Sequence, residues 1–113
     1  MKHEKLNEIL SELRERLREH YGDRLVDVVL FGSQARGDAV EGSDIDVMIV
    51  LKGDFNYWEQ IQQTGEFIAA LSLKYDTVIS RVFVSDEKFR REQSPLLINV
   101  RREGVSGSLV TMA

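Results

Sequence analysis

Cysteine is missing from this chain altogether, which excludes disulfides, thiol nucleophiles and cysteine-ligated zinc. Histidine occurs only as His3 and His20, too few for a histidine-built zinc centre. Proline occurs once, as Pro95, and no linker, internal repeat or low-complexity segment interrupts the chain. A basic excess is lacking too. Against 15 Lys and Arg stand 19 Asp and Glu, a net charge of −4 and a pI of about 5.2, so attraction to a polyanion is not built in and no stable nucleic-acid binding is expected. Arg90-Arg91 and Arg101-Arg102 each sit among glutamates and read as a solvated face. No apolar run approaches the ~20 residues of a membrane-spanning helix. The start, Met1-Lys2-His3-Glu4-Lys5, leads into an amphipathic segment instead of a signal peptide's apolar run. A cytoplasmic protein with no membrane association is expected.

What is present suits a single domain over residues 1–113, with 42% apolar and 30% charged residues and enough length to bury a core. Leu6, Ile9, Leu10, Leu13 and Leu17 fall at helical spacing, and Gly22 follows as a stop, which predicts a helix over 3–20. Runs rich in Val, Ile, Leu and Phe predict strands over 25–31 and 44–51, and a third over 76–84. Asn56 with Glu59 three residues later resembles a capping box. It opens a long helix whose apolar face is read as Trp58, Ile61, Gly65, Ile68 and Leu71. Ser85-Asp86 caps a short helix. Ser94-Pro95 opens a last one, which Gly104 closes. The tail over 105–113 is either a short edge strand or loose. The order helix, strand, short helix, strand, helix, strand, helix, helix predicts an α/β (α+β) domain, a small mixed sheet with helices packed mainly on one side.

The chemistry concentrates between the first two strands. Gly32-Ser33 follows the first, and Asp44-Ile45-Asp46 opens the second after ten intervening residues. Along a strand, residues i and i+2 project to the same face, roughly 6.5 Å apart. Two acids side by side are costly to keep charged unless a cation lies between them. Mg²⁺ suits such hard oxygen ligands, and it completes its shell with water and substrate phosphates. The glycine lets backbone approach a ligand closely, and a serine opening a short helix offers a hydroxyl and N–H groups to an anion. Gly32 and Ser33 are therefore candidate phosphate ligands. Arg36 either reaches a phosphate as a charged donor or anchors the loop through Asp38 or Glu41. Ser43 either orients Asp44 or caps the turn.

Gly-Ser, ten residues, then Asp-x-Asp resembles the signature of the DNA polymerase β-like nucleotidyltransferases. The form Gly32-Ser33-Gln34-Ala35-Arg36-Gly37-Asp38-Ala39 resembles the minimal nucleotidyltransferases, antitoxins paired with HEPN-domain toxins, and the resemblance spans roughly residues 24–104. It implies a palm-like fold and transfer of a nucleoside monophosphate from an NTP, with Asp44 and Asp46 as catalytic metal ligands for two Mg²⁺ ions. It also implies a third acid on a neighbouring strand. Asp76, after Tyr75 at the head of the third β-rich run, is the expected third catalytic and metal-binding acid, its alternative reading being a residue of the helix-to-strand turn. Asp86 reads better as a helix-start residue, Asp27 as a strand acid facing solvent, and Asp38 as a loop acid. The function implied is transfer of AMP from ATP to a hydroxyl, a tyrosine, of a cognate HEPN toxin with which the chain forms a hetero-oligomer. Two alternatives stand beside it. One is an antitoxin that masks the toxin without catalysis. The other is a small-molecule or RNA nucleotidyltransferase, which the small size and acidity disfavour.

Overall fold

The computed structural model describes residues 5–40 and 42–106. Helix α1, Leu6–Tyr21, buries the stripe Leu6, Ile9, Leu10, Leu13, Leu17 and Tyr21, and Gly22 ends it at φ 57. A 3-10 turn, Gly22–Arg24, feeds strand β1, Leu25–Phe31. The one-turn helix α2, Ser33–Arg36, and a loop lead to β2, Ile45–Leu51. Then come α3, Tyr57–Tyr75, strand β3, Ile79–Ser85, helices α4, Asp86–Arg91, and α5, Pro95–Glu103, and the short strand β4, Val105–Ser106.

The sheet order is β3-β2-β1-β4. β1 pairs antiparallel with β2 and β4, whereas β3 runs parallel to β2. The mixed sheet expected from the sequence is therefore present, with β4 added at its edge from the head of the tail. The remainder of the tail, from 107 on, lies outside the described residues. Alternation sorts the strand residues onto two faces. Val28, Leu30, Val47, Ile49, Leu51, Ile79 and Phe83 join the α1 stripe and Ile68 and Leu71 of α3 in the main core. On the other face Val29, Met48, Val50 and Val84 pack with Leu97 and Val100 of α5 and Phe89 of α4. The two long helices thus share one side, and two short ones make a thinner second layer. β2 is the central strand, buried on both faces from Val47 to Leu51, which explains its unbroken apolar run.

Two readings of the sequence need correction. The third strand begins at Ile79, because Asp76 takes a left-handed conformation (φ 50, ψ 52) as the cap of α3. There its N–H reaches Leu73 O, while Thr77 N donates to Ser72 O at 3.0 Å. The helix end uses residues 76–78 despite the β preference of Thr77 and Val78. The buried stripe of α3 is Gln60, Thr64, Ile68 and Leu71, while Trp58 is 73% exposed. The polar pair is accommodated because it is bonded. Tyr21 Oη donates to Gln60 Oε1 at 2.8 Å, Gln60 Nε2 to Asn56 O at 3.2 Å and Thr64 Oγ1 to Gln60 O at 2.8 Å. Among the described residues no buried side-chain polar atom lacks a partner. The capping box stands as read, with Glu59 N donating to Asn56 Oδ1 at 3.0 Å.

Candidate active site

The end of β1 and the start of β2 bring the candidate residues together. Phe31 pairs with Asp46 across the antiparallel ladder, so Gly32 leaves the sheet beside the second acid. Its backbone (φ 75, ψ −158) lies in a region open essentially to glycine alone. A Cβ built there would stand 2.5 Å from Asp46 Oδ2. The glycine is thus required twice, by the turn and by the carboxylate lying against it. Ser33 then opens α2, whose turn is closed by Ala35 N and Arg36 N donating to Gly32 O at 3.1 Å each.

Asp46 shares its face with Met48 and Val50, and its neighbour on β3 is Ser80. Ser80 Oγ lies 3.4 Å from Asp44 Oδ2, a long bond in which the hydroxyl donates. Asp44 and Asp46 therefore flank one spot at the edge of the second layer. Asp44 is exposed and Asp46 half-buried. Burial, then the charge of Asp44, pushes the Asp46 carboxyl above the usual aspartate value, and Arg36 opposes the rise. A carboxylate held against its own preference for water, next to a second one, fits a divalent cation, and the donor set is entirely oxygen.

The other predicted residues divide. Arg36 Nε donates to Asp38 Oδ2 at 3.1 Å, and its Nη1 lies 3.6 Å from Glu103 Oε2 of α5. It anchors the loop, and it adds a tie to α5 that no spacing in the sequence announces. Its charge nonetheless reaches Asp46, so it stays beside the site. Ser43 takes the turn role: Val40 N donates to its Oγ at 2.9 Å, and its own N–H donates to Val40 O at 3.0 Å. Asp86 opens α4 as read, accepting from Glu87 N at 2.9 Å. Asp76 is not brought to the pair. It sits exposed on the α3 cap, outside β3, and among the described residues no group of three His, Cys, Asp or Glu is placed to hold a metal. The resemblance implies a third carboxylate, and the choice of Asp76 for it depends on a strand starting at 76; the helix end displaces that start to Ile79 and leaves Asp76 in the turn. Ser80 was missed because only the strand register reveals it.

An acid pair set against a Gly-Ser corner at the mouth of a mixed sheet is the arrangement of a candidate anion- and cation-binding centre. The comparisons with known proteins narrow that class: the model of the nucleotidyltransferase domain family matches residues 10–101, and the chain belongs to this family. Among its relatives is a Methanocaldococcus jannaschii protein named "Putative protein adenylyltransferase MJ0604". The two are 37% identical over 83 residues, which are 74% of this chain and 77% of that one. A "putative nucleotidyltransferase" from Sulfolobus solfataricus shares the fold at a TM-score of 0.66 and 23% identity, over 90% of this chain and 78% of that one. So does a chain from the complex of a tri-AMPylated Shewanella oneidensis HEPN toxin with its MNT antitoxin. There the TM-score is 0.53 at 17% identity, over 94% of this chain and 81% of that one.

Proposed function

We propose that this nucleotidyltransferase transfers AMP from ATP, in a Mg²⁺-dependent reaction, to a tyrosine hydroxyl of a HEPN toxin and so acts as its antitoxin. The single observation that carries the reading is that a Cβ at Gly32 would stand 2.5 Å from Asp46 Oδ2, so that the Gly-Ser corner and the acid pair lie against each other. Relatives named protein adenylyltransferases support AMP as the group transferred. A solved complex of an AMPylated HEPN toxin with its MNT antitoxin, one chain of which shares this fold, supports the partner.

In this reaction the acceptor's hydroxyl oxygen attacks the α-phosphorus of ATP. A new P–O bond forms as the bond to the bridging oxygen of the β-phosphate breaks. Pyrophosphate leaves with the electron pair, and the hydroxyl proton passes to water. Bound Mg²⁺ supplies charge neutralisation at the phosphates and lowers the pKa of the attacking hydroxyl. Asp44 and Asp46 would hold it. Gly32 admits the phosphates close to the backbone, and Ser33 offers its hydroxyl and N–H at the opening of α2. The Arg36 guanidinium stands near enough to bias the site's potential.

One observation favours a second reading, complex formation without transfer: the described residues supply two carboxylates and no third. Intact-mass measurement of the toxin encoded beside this chain, after incubation with ATP and Mg²⁺, separates the two. AMP-sized mass gains that vanish in the Asp44→Ala, Asp46→Ala double variant support transfer. Neutralisation by that variant with no mass gain supports masking and overturns the enzymatic proposal.

A further inference from the structure

We infer that Ser80 closes the acid site with a hydroxyl, so that the chain alone binds one divalent cation and a second enters only with the nucleotide's phosphates. The inference rests on the placement of ATP at this site proposed above. In the sheet Asp46 has two lateral neighbours, Phe31 on β1 and Ser80 on β3. The Phe31 side chain offers no ligand atom, so within the sheet Ser80 is the side chain from which a further oxygen reaches the pair. Its Oγ is turned to Asp44 Oδ2 at 3.4 Å, and as a donor it eases the repulsion between the acids without adding charge. Two carboxylates present four oxygens between them. Two divalent cations, each taking about six oxygen ligands, would share those four, and among the described residues no further carboxylate is placed to serve a second ion alone. A neutral hydroxyl already bonded to Asp44 does not make up that charge. The phosphates of ATP do, which couples the second cation to substrate binding.

Mn²⁺ titration of the full chain, counted by electron paramagnetic resonance, tests this with and without a non-hydrolysable ATP analogue. Wild type is expected to bind one Mn²⁺ without nucleotide and two with the analogue. Ser80→Ala keeps this count. Ser80→Asp is expected to bind two without nucleotide, the second at least tenfold tighter than in wild type. Two Mn²⁺ on wild type without nucleotide overturn the inference and leave the proposed enzyme standing. So does a Ser80→Asp chain that folds, by circular dichroism, and stays at one. No Mn²⁺ on wild type under either condition overturns both.

Discussion

Replacing Gly32 by alanine perturbs the Gly-Ser corner at the point where it touches the acids. Two costs combine. An alanine held at φ 75, ψ −158 is strained by about 1–3 kcal/mol. Its Cβ also meets Asp46 Oδ2 at 2.5 Å, so the carboxylate retreats by about 1 Å to restore ordinary contact. Overpacking of this kind adds about 1–3 kcal/mol where the neighbour cannot move freely. Gly37→Ala is the matched control. Gly37 also has positive φ, 83, yet a Cβ there meets nothing within 4 Å, so it carries backbone strain alone, about 1–2 kcal/mol. Urea unfolding should therefore show Gly32→Ala as the more destabilising of the two by about 1–3 kcal/mol. Transfer assayed on folded protein should separate them further. A misplacement of about 1 Å at a reacting centre can cost about 100-fold in rate, whereas Gly37→Ala leaves the rate near wild type. Equal stability and equal activity of the two variants would refute the claim that Gly32 and Asp46 form one unit.

Asp46→Asn should trade activity for stability. Because the folded state raises the Asp46 carboxyl above its ordinary value, it binds that proton more tightly than the unfolded chain, so stability falls as pH climbs from about 3.9, the unfolded-chain value, through the folded one. The asparagine variant should unfold at a higher midpoint than wild type at pH 7, lose this advantage below about pH 3, and transfer no AMP; a lower midpoint at pH 7 would contradict it. Tyr21→Phe should cost about 1–3 kcal/mol at pH 7 by leaving Gln60 Oε1 without its buried donor. Burial holds the Tyr21 hydroxyl up at about 12, so wild type should lose more stability than the variant as pH rises from about 10 to about 12, where Tyr75 and Lys74 titrate in both. Paired thermal melts across that range check both points. Gly104→Ala would set a Cβ 2.4 Å from Val100 O and 2.6 Å from Val29 Cγ1. Chemical denaturation should show a loss of about 1–3 kcal/mol, and an unchanged midpoint would contradict the close packing of α5 on β1.

The parts of the fold legible in the sequence are those set by local chemistry. The α1 stripe, the central strand β2, the Asn56 and Ser94 caps and the glycine stops each follow from spacing or side-chain hydrogen bonding within a few residues. The acid pair and the Gly32-Ser33 corner were legible for the same reason, since strand alternation and a strand-end glycine are local. What escaped depends on contacts distant in sequence. The buried face of α3 was misjudged because Gln60 and Thr64 look polar until Tyr21 and Arg81 arrive as partners. Ser80 enters the site through the parallel pairing of β3 with β2, and Glu103 through the return of α5 towards Arg36. Asp76 was misplaced by a competition at short range, in which a helix-ending turn overrode a β-rich run.

The most direct test is a crystal structure of the chain with Mg²⁺ and a non-hydrolysable ATP analogue. The triphosphate is expected against Gly32 and Ser33, with a cation held by Asp44 and Asp46. A well-ordered crystal in which that corner stays empty while the two acids turn into salt bridges would contradict the proposed enzyme.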